Sequence, residues 1–148
     1  TNDAPSTITR LLNMGLEPFL VASSVLLILS QRLVRKICEN CKEPEDVPLQ
    51  AITSLGIPEE EAGQVTVYKG KGCGACNNLG YKGRIGIFEV MRLQREIREA
   101  ILKGESTSEV RRMAIESGMM ALRQAALEKL KNGITTIEEV VRSTAVVR

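Results

Sequence analysis

Four cysteines stand in two pairs, Cys38-Glu-Asn-Cys41 and Cys73-Gly-Ala-Cys76, with 31 residues between them (42–72). A CxxC turn presents two sulfurs on one side of a tight bend and aims backbone amides at them. Two such turns supply the four thiolates of a tetrahedral structural zinc site. The spacer is longer than the usual zinc-ribbon spacing, but loop closure costs only about 0.6 kcal/mol per doubling of length. A filled site would carry a formal charge of about −2, and Arg35, Lys36, Lys42, Lys71 and Lys82 are near enough in sequence to offset it. The same cysteines could form two disulfides, act as a redox CxxC or lie reduced in a core. A catalytic zinc would need an open coordination position, which four thiolates do not leave.

Other chemistry is limited by what the chain contains. There is no histidine, so neither a Ser-His-Asp or Cys-His arrangement nor a histidine metal ligand can come from these residues. Gly70-Lys-Gly-Cys-Gly74 is glycine-rich but lacks the spacing and the Lys-Ser/Thr end of a phosphate loop. Glu59-Glu60-Glu61 reads as the first turn of a helix, where acids favour the dipole. No catalytic residue is assigned. Lys+Arg 20 against Asp+Glu 18 gives a net charge of +2, and aromatics make up 3% of the chain. That balance argues against a dedicated nucleic-acid binder. Two readings stay open on these grounds: a stand-alone zinc-ribbon module that binds nucleic acid, and a CxxC thiol-redox or chaperone protein.

The elements that must position the cysteines follow from pattern. The 148 residues, 43% apolar and 26% charged, suit one compact domain, with or without a small insert. Asp3 is placed to cap a helix entered through Ala4-Pro5, with Ile8, Leu11 and Leu12 on one face and Gly15 as its stop. Pro18 is expected to start a second helix reaching about Ile37, its apolar run Phe19–Leu29 buried on several sides. That run has 11 residues, too few to span a membrane. Short helical turns are expected around Leu49–Leu55 and Pro58–Ala62. Gln64–Tyr68 and Arg84–Val90 read as strands, expected to pair antiparallel around the glycine-rich stretch. Beyond residue 90 come short helices: one on Leu93, Ile97, Ile101 and Leu102, closed near Gly104; one behind a Ser106/Glu109 capping box; one on Leu122, Ala125, Ala126 and Leu130; and one behind a Thr136/Glu139 capping box. The chain opens at Thr1 without methionine, which reads as a fragment or a processed product.

Several stretches together resemble one family. They are Thr1-Asn-Asp-Ala, Thr9–Gly15, Glu17–Ser24, Gln31–Cys38, Cys73-x-x-Cys-Asn77, Gly80-Tyr-Lys-Gly-Arg-Ile-Gly-Ile-Phe-Glu89, Gly118-Met with Leu122-Arg123, and Gly133–Arg142. In order, over nearly the whole chain, they resemble the C-terminal end of the traffic ATPases of type IV pilus assembly and type II secretion. The spaced cysteine pairs resemble the assembly motors rather than the retraction type, which lack them.

This resemblance implies an α+β, mainly helical fold: the C-terminal end of a RecA-like P-loop ATPase domain, a tetracysteine zinc subdomain and a helical C-terminal part. Residues 1–37 would be the tail of the RecA-like domain, 38–90 the zinc-binding subdomain with antiparallel strands, and 91–148 the helical C-terminal subdomain. Cys38, Cys41, Cys73 and Cys76 would hold structural zinc. The parent would be a homo-hexameric ATPase using ATP and Mg, with its phosphate loop and acidic boxes upstream of Thr1 and a histidine box just before the Thr-Asn dipeptide. It would be cytoplasmic and peripheral to the inner membrane through its partners. Hydrolysis would turn domains against each other and move an inner-membrane platform protein that adds pilin subunits; nucleic acid is not an expected partner. This chain alone would not turn over ATP. In the Gly-Tyr-x-Gly-Arg motif the matching arginine, Arg84, is expected near nucleotide phosphates or a neighbouring subunit, a role suited to its planar, always-charged fork. A surface arginine pairing with a thiolate or an acid is the other reading of Arg84. Arg10, Arg32 and Arg35 read as solvated helix charges.

Overall fold

The computed structural model describes residues 3–144. The Thr1-Asn2 start of the first motif, and the end of the helical stretch from 145 on, lie outside the described residues. In chain order the elements are α1 (Ala4–Asn13), α2 (Pro18–Ser24), β1 (Leu27–Ile37), β2 (Lys42–Glu45), α3 (Leu49–Thr53), α4 (Glu59–Ala62), β3 (Val67–Gly70), a 3-10 turn (Gly74–Cys76), β4 (Tyr81–Arg92), α5 (Arg95–Lys103), α6 (Thr107–Glu116), α7 (Leu122–Lys131) and α8 (Ile137–Thr144). The fold is α+β, with eight helices and two small sheets among the described residues. None of these helices is long and apolar enough to cross a membrane.

The chain forms two compact units, each assembled from two stretches of sequence: 3–31 with 88–122, and 32–87 with 123–144. In the first, α2 packs on α5, α1 on α6 and α5 on α6. Their facing side chains, including Ile8, Val21, Ile97, Ile101 and Val110, form one buried apolar cluster with Met91 of β4. Leu102, expected on that face, is exposed. Local signals fix the helix ends. Asp3 accepts the Ser6 N–H at 2.9 Å, and Gly104, at φ +74°, provides the left-handed stop of α5.

The second unit buries Val34, Ile37, Ile52, Leu55, Val67, Ile87, Leu127, Leu130 and Val140. Within it β2 and β3 pair antiparallel, Lys42 opposite Gly70 and Glu45 opposite Val67. The loop from 134 to 136 is tied to the end of β1: the Ile37 N–H donates to the Ile134 carbonyl at 2.8 Å, and the Thr135 hydroxyl to the Arg35 carbonyl at 2.8 Å.

Three expectations are corrected. The second helix stops at Ser24, and Leu27–Ile37 is a strand. The apolar run ends at Leu29, inside β1, and cannot by itself distinguish a helix from a strand; Ile28, Val34 and Ile37 of the strand are β-branched and suit the pleated surface. Nor is the run buried on several sides: Phe19 is 66% and Leu26 73% exposed. The strands on either side of the glycine-rich stretch do not pair with each other. β3 pairs with β2, and β4 pairs with β1.

Candidate metal centre

The β2–β3 register closes the long cysteine spacer. β2 starts one residue after Cys41, and β3 ends at Gly70, three residues before Cys73. Pairing Lys42 with Gly70 therefore brings the two CxxC turns to the same end of the ribbon, while α3 and α4 occupy the rest of the spacer. Each turn is locked by its own backbone: the Cys41 N–H donates to the Cys38 carbonyl at 3.3 Å, and the Cys76 N–H to the Cys73 carbonyl at 3.3 Å. Asn77 and Asn78, at φ 54° and 63°, carry the chain out of the second turn in the left-handed region that asparagine tolerates better than most residues.

A glycine contact sets the spacing. A Cβ on Gly70 would stand 2.0 Å from the Gly80 carbonyl oxygen, so these two backbones meet only because both residues lack one. Gly80 in turn touches both ends of the cluster. Its carbonyl accepts the Cys38 N–H at 3.0 Å, and its N–H donates to the Cys76 Sγ at 3.2 Å.

The four sulfurs all lie within 4.8 Å of one another. Cys38–Cys73 and Cys41–Cys76 are separated by 3.8 Å, and Cys73–Cys76 by 3.7 Å. A regular tetrahedron with zinc–sulfur bonds of about 2.3 Å has edges of about 3.8 Å. The donor set and its dimensions are therefore compatible with a zinc ion. None of the four cysteines forms a disulfide.

The charge on such a cluster is met by N–H donors. Gly72 N–H donates to the Cys41 Sγ at 3.3 Å, Cys73 N–H to the Cys76 Sγ at 3.3 Å, and the Asn40 amide to the Cys73 Sγ at 3.1 Å. The Asn40 bond is the main reason the Cys73 thiol is drawn down to about 6. Cys76 also falls: desolvation pushes it up, but the Cys73 and Gly80 amides outweigh this. Cys41 is pushed up to about 12, by desolvation first and then by its three sulfur neighbours. Two of the cations expected to offset the cluster are engaged elsewhere. Lys42 lies 4.6 Å above the Tyr68 ring, and Arg35 binds Glu139 and stacks on Tyr81 at 4.0 Å.

Arg84 sits on β4, exposed, and no described residue pairs with its side chain. Arg10 is an exposed charge on α1, whereas Arg32 and Arg35 lie on a strand rather than a helix.

Sequence reasoning missed the most heavily bonded carboxylate in the second unit. Glu139, on α8, is 0% exposed. It accepts the Arg35 backbone N–H at 2.7 Å, the Arg35 Nε and Nη2 at 3.0 and 2.9 Å, and the Arg142 Nε and Nη2 at 3.0 and 2.7 Å. Desolvation opposes its charge, but the hydrogen bonds from Arg142 and Arg35 prevail and hold it at about 2. The Thr136/Glu139 capping box is therefore half formed. Thr136 Oγ1 accepts the Glu139 N–H at 3.2 Å, while the Glu139 carboxylate turns to the two arginines. The Ser106/Glu109 box behaves alike: Ser106 Oγ accepts the Glu109 N–H at 3.2 Å, and the Glu109 carboxylate goes to Arg112.

The profile of the family described as Type II/IV secretion system protein matches residues 1–142. The type IV pilus assembly ATPase PilB of Myxococcus xanthus is 49% identical over 98% of this chain and 26% of its own length. PilB of Thermus thermophilus is 44% identical over 97% of this chain and 16% of its own length. The type II secretion system protein E of Pseudomonas aeruginosa is 42% identical over 97% of this chain and 28% of its own length. The chain thus spans between 16% and 28% of the length of these relatives.

Proposed function

Since the chain belongs to the Type II/IV secretion system protein family, we propose that it is the zinc-bearing portion of a motor ATPase that assembles a type IV pilus or a type II secretion pseudopilus. The observation that carries this reading is the match of nearly the whole chain to relatives named for both machines. In this reading the longer polypeptide is a hexamer that binds ATP and Mg in a RecA-like domain. Residues 1–37 close that domain, 38–90 hold the zinc, and 91–148 form the helical C-terminal subdomain. The motor works in the cytoplasm against an inner-membrane platform protein. Zinc on Cys38, Cys41, Cys73 and Cys76 is structural, since four thiolates leave no open position. It folds the knuckle that holds the end of β1 beside the start of β4, because metal binding free energy at such sites is folding free energy. Arg84 is the residue of this stretch that reaches nucleotide or a neighbouring subunit.

The test replaces Cys73 and Cys76 by serine in the chromosomal copy of the full-length gene. Surface pili and secreted proteins are then scored separately, and zinc is measured in the purified protein. The expected result is loss of zinc, together with loss of pili or of secretion; which one fails identifies the machine. Intact pili and intact secretion in cells whose protein has lost its zinc would overturn the structural role. Intact pili and secretion after deletion of the whole gene would overturn the motor reading itself.

A further inference from the structure

β4 carries one acidic side chain into the core of the first unit. Glu89 is 3% exposed. Its Oε1 accepts the Ala4 N–H at 2.7 Å, and its Oε2 accepts the Leu122 N–H at 3.0 Å. Ala4 is the first residue of α1, and Leu122 the first residue of α7. The opening N–H groups of a helix have no partner within it and form the positive end of its dipole. One carboxylate is therefore divided between two helix starts, one oxygen to each. Capping alone does not require this at α1. That helix already has an N-cap in Asp3, which accepts the Ser6 N–H and is held by Arg111 of α6 at 2.6 Å.

We propose that Glu89 is a mechanical joint that couples the start of α1 to the start of α7. The two helix starts share one buried ligand, so displacing Ala4 either drags the carboxylate off Leu122 or moves Leu122 with it. Buried N–H groups left without a partner are costly, so the coupled movement is the favoured one. A strain applied where the chain enters α1 is thereby delivered to Leu122, the residue at which α7 begins. This goes beyond the motor reading and does not depend on it.

Amide hydrogen exchange on the full chain tests the joint. Ala4→Pro deletes the single N–H that Oε1 accepts. Proline suits the first helical position, and Asp3, at φ −151° and ψ 172°, already has the extended backbone that a residue before proline adopts. The expected result is exchange about tenfold faster or more at Leu122 and the first turn of α7, with α5 and α8 unchanged. Glu89→Gln, which keeps the side-chain size but turns one acceptor into a donor, should speed exchange at both helix starts. The joint is refuted if Ala4→Pro leaves the start of α7 unchanged or loosens α5 and α8 equally, or if Glu89→Gln loosens one helix start alone.

Discussion

Glu139 offers the sharpest test of the energetics of the second unit. Glu139→Gln keeps the shape of the side chain and one acceptor but removes the charge that five N–H donors from Arg35 and Arg142 converge on. The carboxyl is held at about 2 against an ordinary 4.5. A depressed folded-state value means that the unfolded chain binds more protons between pH 4.5 and 2. The charged Glu139 therefore stabilises the fold fully above about pH 4.5, and this contribution drains away as pH falls toward 2. At about 1.4 kcal/mol per pH unit, the interval corresponds to about 3 kcal/mol, in the range seen when one member of a buried ion pair is removed. Urea unfolding can be followed by tyrosine fluorescence, since Tyr68 and Tyr81 are the only tyrosines, tryptophan is absent, and both lie in the same unit as Glu139. Glu139→Gln should cost about 3 kcal/mol at neutral pH and about half of that near pH 3. Asp3 and Glu109 are also held low, by their hydrogen bonds to Ser6 and to Arg112 outweighing desolvation, but they titrate in both proteins and cancel in the difference. A cost below about 1 kcal/mol at neutral pH, or one that does not shrink on acidification, would refute the reasoning.

Two further outcomes follow from the sites described. Gly70→Ala forces a methyl group to within 2.0 Å of the Gly80 oxygen, so the ribbon end must open and the Gly80 N–H must leave the Cys76 sulfur; zinc should then be lost to a chelator at least about tenfold faster, and unchanged retention would show that the glycine contact does not shape the site. Arg84→Ala should change the stability of the chain by no more than about 0.5 kcal/mol, while turnover of the full-length motor falls; unaltered turnover would remove Arg84 from the nucleotide or the subunit interface.

What could be read from the sequence was mostly local. Asp3 and Ser106 act on amides three residues away, and Gly104 follows directly on its helix. Such signals are carried by adjacent residues and survive in a linear text. The cysteine pairs were legible because their chemistry needs spacing within each turn, but the pairing that unites them was not. β2 is the short segment Lys-Glu-Pro-Glu, whose composition gives no strand signal. β1 begins inside an apolar run that has no period to separate helix from strand, and its later apolar residues, Leu33, Val34 and Ile37, also fit a helical face. Glu139 and Glu89 were the deepest omissions. Their partners lie as far as 104 and 85 residues away in sequence, so Glu139 reads only as the partner of Thr136 in a capping box, and Glu89 only as the end of the Gly80–Glu89 motif, until the fold brings their donors to them.

The interleaving of the two units has a consequence for how a polypeptide of this kind can be taken apart. Each unit needs residues from both before and after the stretch near position 87, so no single cut releases either one whole. Trimming from the N-terminal side as far as residue 31 removes residues of the first unit alone, and trimming back from 144 to 123 removes residues of the second alone; a nick in the loop between β2 and β3 leaves its two pieces joined by the strand ladder of Lys42–Glu45 and Val67–Gly70. Serial truncation therefore damages one unit first from each side and reaches the other only past residue 31 or residue 123. Point substitutions perturb one unit without deleting chain, and an insertion between β2 and β3 enters the second unit where the chain leaves and returns at neighbouring positions, Glu45 opposite Val67.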